Sequence, residues 1–406
     1  MFVCGTEECV ACNACINICP KKCITYKIDA FEKSSAYINP EECIHCNLCK
    51  KTCPVLEIPK GNKSSECYSA WSLNPDVRSV SASGGIATEM YRYAYEHNMS
   101  FAGVKINKEY EAVYSLEKDN WKKFSNSKYV YSNTDNIYEE IRKKLKSGEA
   151  ILFVGLPCQI AGLNNYLDIK KCTTDKLVTA DLICHGVTPP NYLKDHIKCI
   201  AKNKSEEITD VYFRDPEFKT YTFTFSLRSD KKLIYSKKVY RNDSYQVGYH
   251  SGIAYRENCY HCKFARDSRM GDVTLSDFAG VGTIEKCNYD NRKVSCILVN
   301  TEKGKNYIEK LKQEGYIFLE NRPIEEEYNT EARLFSPTPI SQERIKFKEM
   351  YSNGKSFDKS IKIAARNRIM KNEIKHFLHV DLLKRIGSKI IPASLKKYIK
   401  IILKLG

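Results

Sequence analysis

Two matching cysteine motifs lie within the first sixty residues of the chain. Each has three cysteines separated by two residues, then a fourth cysteine after three more residues, followed directly by proline. The cysteines are Cys9, Cys12, Cys15 and Cys19 in the first motif and Cys43, Cys46, Cys49 and Cys53 in the second. This spacing is typical of chains that hold two [4Fe–4S] clusters, in which the fourth cysteine of each motif ligates the other cluster. The sequence therefore predicts two one-electron carriers near its start.

Zinc ligation and disulfide formation both fit these cysteines less well. Zinc sites draw their four ligands from two pairs, not from three equally spaced cysteines and a fourth before proline. Disulfides need an oxidising compartment, whereas the first residues lack the basic start and apolar core of a secretion signal. We therefore expect a 4Fe–4S dicluster domain of the ferredoxin type over residues 1–60, in a cytoplasmic protein.

A second set of cysteines is spread over a hundred residues. Cys158 and Cys184 follow predicted interior strands, and Cys259 and Cys262 form a Cys-x2-Cys pair. Because the carboxyl ends of neighbouring strands meet at one crevice, four thiolates there would hold a third [4Fe–4S] cluster or a zinc ion. Alternatively, Cys158 and Cys184 are ordinary buried cysteines. The other cysteines form no such pattern and are predicted to be packing residues: Cys4, Cys23, Cys67, Cys172, Cys199, Cys287 and Cys296.

A Ser83-Gly84-Gly85 turn precedes a stretch in which apolar residues recur at helical spacing. A glycine turn that opens a helix can present backbone N–H groups to a phosphate. The alternative is a plain helix start with Ser83 as the N-cap.

Apolar and turn residues predict the elements that must position these groups. A linker is expected over 59–66, and the chain becomes helical and polar from about residue 324. Strands are predicted at 67–71, 101–106, 113–116, 129–131, 150–154, 177–184, 211–215, 221–227, 232–240 and 273–275.

Charge is concentrated at the C-terminal end. The net charge is +16 over 406 residues, and residues 360–406 hold twelve Lys or Arg against two acidic residues. Because so little charge remains for the body, we expect no nucleic-acid partner. Apolar residues interleaved with lysines in 360–406 predict two basic amphipathic helices, broken near Pro392. Such helices can lie on the inner surface of the membrane or dock on the protein with a solvated basic face.

Several motifs occur together in one order: the two cysteine runs, Ser83-Gly84-Gly85, the segment from Gly155 to Gln159, Cys184-His185-Gly186-Val187, and the Cys259–Cys262 pair. Together they resemble the beta subunit family of the deazaflavin (coenzyme F-420) reducing hydrogenases and dehydrogenases, over residues 1 to about 320. One position departs from the family, which often has Asp-Phe-Trp-Gly where this chain has Asp277-Phe278-Ala279-Gly280. That difference puts the family substrate in doubt.

The resemblance implies an iron–sulfur flavoprotein with an α+β fold. We expect a ferredoxin-type domain over 1–60, a mixed α/β flavoprotein domain in two parts over 66–148 and 149–322, and a helical region with a basic tail over 323–406. A non-covalent FAD would lie beside a cluster ligated by Cys158, Cys184, Cys259 and Cys262. The residues expected against FAD or its pyrophosphate are Ser83, Gly84, Gly85, Thr88, Lys128, Tyr129, Arg214, Arg256 and Arg269, whereas Arg266 is favoured as a surface charge.

The predicted function is an oxidoreductase that passes electrons between the clusters and FAD to reduce or oxidise a small molecule. The electrons would come from a ferredoxin or a partner subunit, and His185 would donate a proton or only hydrogen-bond near cluster sulfur. Many bacterial relatives look like members of surface-polysaccharide pathways. The alternatives are a coenzyme F-420 oxidoreductase and a non-catalytic electron-transfer subunit of a larger redox complex. The sequence leaves open whether the chain forms a homo-oligomer.

Overall fold

A computed structural model describes residues 1–202, 206–230 and 232–377. The predicted α+β class is confirmed, because strands and helices alternate irregularly along the chain. Within the described residues, no helix is long and apolar enough to cross a membrane.

The strands and helices have the following bounds. The strands are β1 (Ile24–Ile28), β2 (Ser34–Ile38), β3 (Asn62–Lys63), β4 (Glu66–Ser72), β5 (Ser100–Ile106), β6 (Ala112–Glu117), β7 (Ser132–Asn133), β8 (Ile151–Gly155), β9 (Leu177–Leu182), β10 (Asp210–Tyr212), β11 (Thr224–Ser229), β12 (Lys232–Lys238), β13 (Ser268–Arg269), β14 (Val273–Asp277), β15 (Ser295–Val299) and β16 (Ile317–Arg322). The helices are α1 (Ala14–Ile18), α2 (Leu48–Thr52), α3 (Pro75–Val80), α4 (Ile86–Glu96), α5 (Ile137–Lys146), α6 (Pro157–Ile169), α7 (Pro190–Ala201), α8 (Ser244–His250), α9 (Glu302–Gln313), α10 (Glu325–Tyr328), α11 (Gln342–Ser352), α12 (Phe357–Ala364) and α13 (Arg366–Phe377).

The two N-terminal cysteine motifs adopt the same backbone path. Each enters its short helix, α1 or α2, through an asparagine in the left-handed region, with φ of 61° at Asn13 and 58° at Asn47. Asparagine tolerates this region better than most residues. Each helix ends at the fourth cysteine of its motif, Cys19 or Cys53, with the same φ of −67° and ψ of 116°. The repeated spacing in sequence is therefore a repeated structure.

A nine-stranded mixed sheet forms the body, in the order β16-β4-β15-β14-β9-β8-β5-β6-β7. Its centre is parallel, since β14 pairs with β9, β9 with β8, and β8 with β5 in that sense. Both predicted parts of the body, 66–148 and 149–322, contribute strands to it. The strand predicted at 129–131 is wrong, because side chains and a single backbone bond hold that segment. The Tyr129 carbonyl accepts from Thr188 and Tyr245, and the Tyr131 N–H donates to the Thr188 carbonyl.

The ferredoxin-type domain packs directly on helix α6. A Cβ atom at Gly162 of α6 would lie 2.9 Å from the Cys12 sulfur and 3.2 Å from the Tyr138 hydroxyl. The domain's linker also joins the body, because β3 pairs with β13 just beyond the Cys259–Cys262 pair. These contacts bring the two sets of cysteines to the same region.

The start of the predicted C-terminal tail docks on the body. Phe357 and Ile361 of α12 are fully buried and pack in one apolar cluster with Tyr192 of α7 and Tyr245 of α8. Helix α13, by contrast, buries none of its residues. The remainder of the tail, from residue 378, lies outside the described residues.

Candidate redox site

The first thiol-lined cavity takes cysteines from both N-terminal motifs. Three of them come from the first motif and the fourth, Cys53, from the second, so that Cys9, Cys12, Cys15 and Cys53 line one cavity. This is the crossed arrangement expected of a two-cluster domain. Cys4, which was predicted to be a packing residue, lines the same cavity.

The other four cysteines of the motifs gather nearer the surface. The Cys49 thiol is flanked by Cys19, Cys43 and Cys46. Cys46 is exposed, and the other three are partly buried. Cys23, another predicted packing residue, lies with its sulfur 3.5 Å from that of Cys19. The domain therefore offers one buried and one accessible group of thiols.

The buried cysteines of the first cavity would be deprotonated only when they ligate a positively charged centre. Burial, together with the neighbouring thiols, raises the pKa of Cys12 and Cys15 well above the ordinary value. A bound cationic centre reverses this, because metal ligation requires deprotonated sulfur. Backbone donors assist at two positions: the Ala36 N–H lies 3.5 Å from the Cys9 sulfur and the His45 N–H 3.4 Å from that of Cys43. The residues present therefore fit the cationic core of an iron–sulfur cluster, with the thiolates as its ligands.

A second thiol-lined cavity brings together the four dispersed cysteines, and it is called the third cavity after the third cluster predicted there. It is lined by Cys158 at the start of α6, Cys184 just after β9, and the pair Cys259 and Cys262. Burial raises the pKa of Cys158, and that of Cys262 to about 11, so these thiols too favour a positive centre. Among the described residues, no group of three or more potential ligands is arranged to hold a single metal ion.

The first and third cavities are neighbours. Val10, between two cysteines of the first motif, lines both of them. Cys12 is also among the charges that influence the Cys158 thiol. Electron transfer between the two cavities would thus cover only a short distance through the protein.

The Ser83-Gly84-Gly85 turn is shaped by the sheet beneath it. A Cβ atom at Gly84 would lie 2.3 Å from the Ala70 carbonyl oxygen, so glycine is required there. Gly85, with φ of 89°, is the N-cap of α4, which corrects the expectation that Ser83 is the cap. Ser83 instead donates to the Val294 carbonyl at 2.9 Å, and the Ser295 hydroxyl accepts from the Gly84 N–H at 3.0 Å.

Arg214 joins three of the predicted cofactor segments. Its guanidinium donates to the Tyr129 hydroxyl, to the Ala82 carbonyl at 2.9 Å and to Asp277 at 2.9 Å. It also stacks 4.1 Å from the ring centre of Phe223. One buried cation therefore ties together the glycine turn, the segment around Tyr129 and the end of β14.

Two family descriptions match this chain. Residues 148–325 match the C-terminal part of the coenzyme F420 hydrogenase/dehydrogenase beta subunit, and residues 8–56 match the 4Fe-4S dicluster domain. The chain therefore carries, over residues 148–325, the C-terminal domain of the coenzyme F-420 hydrogenase/dehydrogenase beta subunit family. Its N-terminal domain is a 4Fe–4S dicluster domain, which makes electron transfer part of its function.

Solved structures are also similar to this chain. A chain of the F420-reducing [NiFe] hydrogenase complex from Methanosarcina barkeri is similar at 15% identity, with a TM-score of 0.46, over 79% of this chain and 95% of that one. No curated protein matches the chain.

Lys128 is hydrogen-bonded by carbonyl groups of its own loop. Its ammonium donates to the carbonyls of Phe124, Ser125 and Asn126 at 3.1, 2.7 and 3.0 Å. Burial lowers the pKa of Lys128 to about 7. The side chain therefore fixes the loop that leads to Tyr129, and a phosphate would have to compete with three carbonyls.

The other predicted basic residues also have protein partners. Arg256 donates to the carbonyls of Val10 and Ser34 at 3.0 and 3.1 Å, which fastens the dicluster domain to the body. Arg269 pairs with the buried Asp181 at 2.8 Å. Arg266 donates to the Pro59 carbonyl at 3.3 Å. Of the predicted arginines, Arg214 is the one placed beside the glycine turn.

His185 lies at the mouth of the third cavity. It lines that cavity, its side chain is 53% exposed, and Nε2 lies 3.3 Å from Glu331. The sequence motifs did not indicate this partner, nor Arg333 and Thr338, which line the same cavity. These residues lie beyond the family match that ends at residue 325, in a region whose sequence indicates only helix.

The sequence motifs also did not indicate an aromatic wall beside Arg214, formed by Tyr129 and Tyr249. Tyr249 stacks on Tyr129 with ring centres 4.3 Å apart, and His250 stands edge-on to Tyr129 at 5.3 Å. Burial lowers the pKa of His250 to about 3, so the ring is neutral at physiological pH. The adjacent Tyr-His pair at 249–250 is the sequence signal that could have indicated a lining for a flat cofactor.

Proposed function

We propose that this protein is an iron–sulfur flavoprotein oxidoreductase acting on a small molecule. The observation that carries the proposal is the placement of three groups of thiols, two of which line neighbouring cavities that share Val10. When bound, [4Fe–4S] clusters would carry single electrons and FAD would convert them to two-electron chemistry.

The exposure of the cysteines supports an order in which electrons would pass the three groups of thiols. Cys46, at the outermost group of thiols, is exposed and would face a ferredoxin or a partner subunit. The first cavity is buried behind it and adjoins the third, where Cys158, Cys184, Cys259 and Cys262 would hold a cluster. Burial shields the inner thiols from water and small oxidants.

The proposed flavin seat lies around Arg214. Its guanidinium holds Tyr129 and the Ala82 carbonyl, which precedes the Ser83-Gly84-Gly85 turn. A fixed, buried guanidinium is suited to stabilise pyrophosphate or the negative charge of a reduced flavin. The aromatic wall of Tyr129 and Tyr249 would cover a planar ring. Thr88, buried on the first turn of α4, would complete the seat.

His185 is the proposed proton donor to the substrate. It is half exposed, lies beside Cys184 and is oriented by Glu331. A carboxylate that holds one ring nitrogen leaves the other free to face a substrate. A His185→Gln variant with full flavin content but unchanged turnover would remove it from the mechanism.

The substrate is proposed to differ from the deazaflavin coenzyme. Ala279 is exposed at the position where the family often has tryptophan, so a bulky indole is missing from this surface. We propose a small molecule of surface-polysaccharide synthesis, with coenzyme F-420 itself as the second candidate. Bleaching of the absorbance of coenzyme F-420 on incubation with reduced protein would favour the second candidate.

The decisive experiment is anaerobic purification with iron, sulfide, zinc and flavin measured per chain. Three clusters predict about twelve iron atoms, and the flavoprotein hypothesis predicts one FAD. About eight iron atoms without flavin would instead indicate a non-catalytic electron-transfer subunit. Zinc in place of iron in the third cavity would overturn the proposed route.

A further inference from the structure

Two cysteines assigned to packing lie together in the interior and line neither of the two thiol-lined cavities. Cys67 on β4 and Cys296 on β15 have their sulfur atoms 3.6 Å apart. They are 1% and 0% exposed. In the register of these strands Cys67 lies opposite Leu298 and Cys296 opposite Ser69, so the two thiols are diagonal neighbours on one face of the sheet. This face packs in a small apolar cluster that also contains Phe278 and Leu334.

A hydrogen-bonded chain leads from this pair to a buried carboxyl group. Ser276 of β14 lies directly opposite Cys296 in the strand register, and its hydroxyl is in hydrogen-bond contact with the Cys296 thiol. The same hydroxyl donates to Oε1 of Glu327. Glu327 is 0% exposed. Its other oxygen, Oε2, is buried and has no hydrogen-bond partner among the described residues.

A packing role does not account for this carboxyl group. A buried carboxyl with an unsatisfied oxygen destabilises the fold unless it is protonated or has a function. Burial raises the pKa of Glu327 to about 7, so it gains and loses a proton near physiological pH. The charged groups that face it are Glu331 and Asp277. Asp277 is half exposed and offers a route to solvent.

The pair also lies close to the third cavity in the sheet. Ile183, which immediately precedes Cys184, packs against the same apolar cluster as Cys67 and Cys296. Its N–H donates to the Leu275 carbonyl at 3.0 Å, so the strand of Ser276 runs beside it. The sulfur pair, the serine and the third cavity therefore follow one another across neighbouring strands.

We propose that Cys67 and Cys296 form a redox-active dithiol–disulfide couple, with Ser276 and Glu327 as its proton relay. The proposal rests on the proposed function for its electrons. In reduction, two one-electron equivalents from reduced [4Fe–4S] clusters and two protons break the S–S bond and form two S–H bonds. Glu327 delivers each proton through Ser276 to the Cys296 sulfur, the first proton passes on to the Cys67 sulfur 3.6 Å away, and Glu327 is reprotonated from solvent between the transfers. Oxidation reverses every step, so the couple stores two electrons beside one-electron carriers.

The test uses the full-length protein purified without oxygen and equilibrated in dithiol–disulfide buffers of increasing oxidising strength. Samples are acid-quenched, denatured, alkylated and mapped by mass spectrometry. A cross-linked peptide pair containing Cys67 and Cys296 is expected to appear in one two-electron transition. Cys67→Ser should abolish it, while Cys287→Ser, a control cysteine beside the same apolar cluster, should not. Full alkylation of Cys67 and Cys296 at the oxidising limit would overturn the proposal.

The relay has a separate readout. Glu327→Gln should leave the cross-linked peptide intact but slow its reduction about 100-fold, the usual size of a lost acid–base group. It should also remove the pH dependence of that rate near neutrality. An unchanged rate and pH profile would reject Glu327 as the proton carrier.

Iron and flavin are measured on the same samples to separate the two proposals. Loss of the disulfide with clusters and FAD present would reject the couple and leave the proposed function intact. A disulfide in protein that lacks a third cluster or FAD would support the couple and reject the proposed function.

Discussion

At the scale of single residues, the cysteine spacing was the most informative signal. Ligand spacing within a short loop is a local property, so the residues between Cys9 and Cys19 determine where their thiols point. The partners of a long side chain are not local in this way. Arg256 and Arg269 were expected near pyrophosphate, yet the structure places them against carbonyls and Asp181. Such partners lie far away in sequence, and charge alone does not identify them.

Arg214 provides the residue-scale prediction for the flavin seat. Arg214→Gln should weaken FAD binding about 10- to 100-fold, because charged hydrogen bonds contribute about 1.5–3 kcal/mol. The measurement is FAD fluorescence released per chain after dialysis. The matched control is Arg292→Gln, which removes an exposed arginine whose ion pair is with its near neighbour Asp290. Equal FAD retention in both variants would contradict the assignment of Arg214.

At the scale of elements, most strands and helices followed from apolar periodicity. The exception at 129–131 arose because side-chain hydroxyls of Thr188 and Tyr245 replace a strand partner there. The contact between α1 and α6 could not be predicted either. It depends on Gly162, a glycine inside a helix, whose missing side chain makes room for Cys12.

Helix α6 should therefore be sensitive at Gly162. Gly162→Val would push into the Cys12 sulfur and the Tyr138 hydroxyl, so the dicluster domain should separate from α6 and lose iron. Iron per chain, measured after anaerobic purification, is expected to fall by about a third, the share of one cluster in three. Asp168→Ala, at an exposed position of the same helix, should retain full iron. A Gly162→Val protein with full iron would refute this packing argument.

Helices α7, α8 and α12 are joined by one buried charge. His196 lies 3.1 Å from Asp243 and 3.0 Å from Asp358. Although burial opposes the charge, the two carboxylates raise the pKa of His196 from 6.5 to about 10. A raised pKa contributes stability that is complete below the unfolded value of 6.5 and is lost as the pH rises through about 10.

The corresponding prediction concerns alkaline unfolding. Between pH 6.5 and 10 the free energy of unfolding should fall by up to about 5 kcal/mol, at about 1.4 kcal/mol per pKa unit. Chemical denaturation at a series of pH values measures it. His196→Gln should lower the stability at neutral pH and flatten this dependence. A wild-type curve that is already flat over that range would contradict the assigned charge on His196.

At the scale of the whole molecule, three groups of thiols lie in series: an exposed group, a buried group and the group in the third cavity. The third site draws on four cysteines spread over a hundred residues. From the sequence alone, a cluster there was one of three interpretations, beside a zinc ion and ordinary buried cysteines. The glycine turn, Arg214 and the aromatic wall come from further segments still. Their convergence depends on the order of strands in the nine-stranded sheet, which periodicity does not encode.

The most direct test of this electron route compares iron per chain in the wild type and in Cys184→Ser, both purified without oxygen. We predict about twelve iron atoms in the wild type and about eight in the variant, because the third cluster is lost while the dicluster domain keeps its own. Equal iron in the two proteins, at about eight atoms per chain, would show that Cys184 holds no cluster and would contradict the proposed electron route.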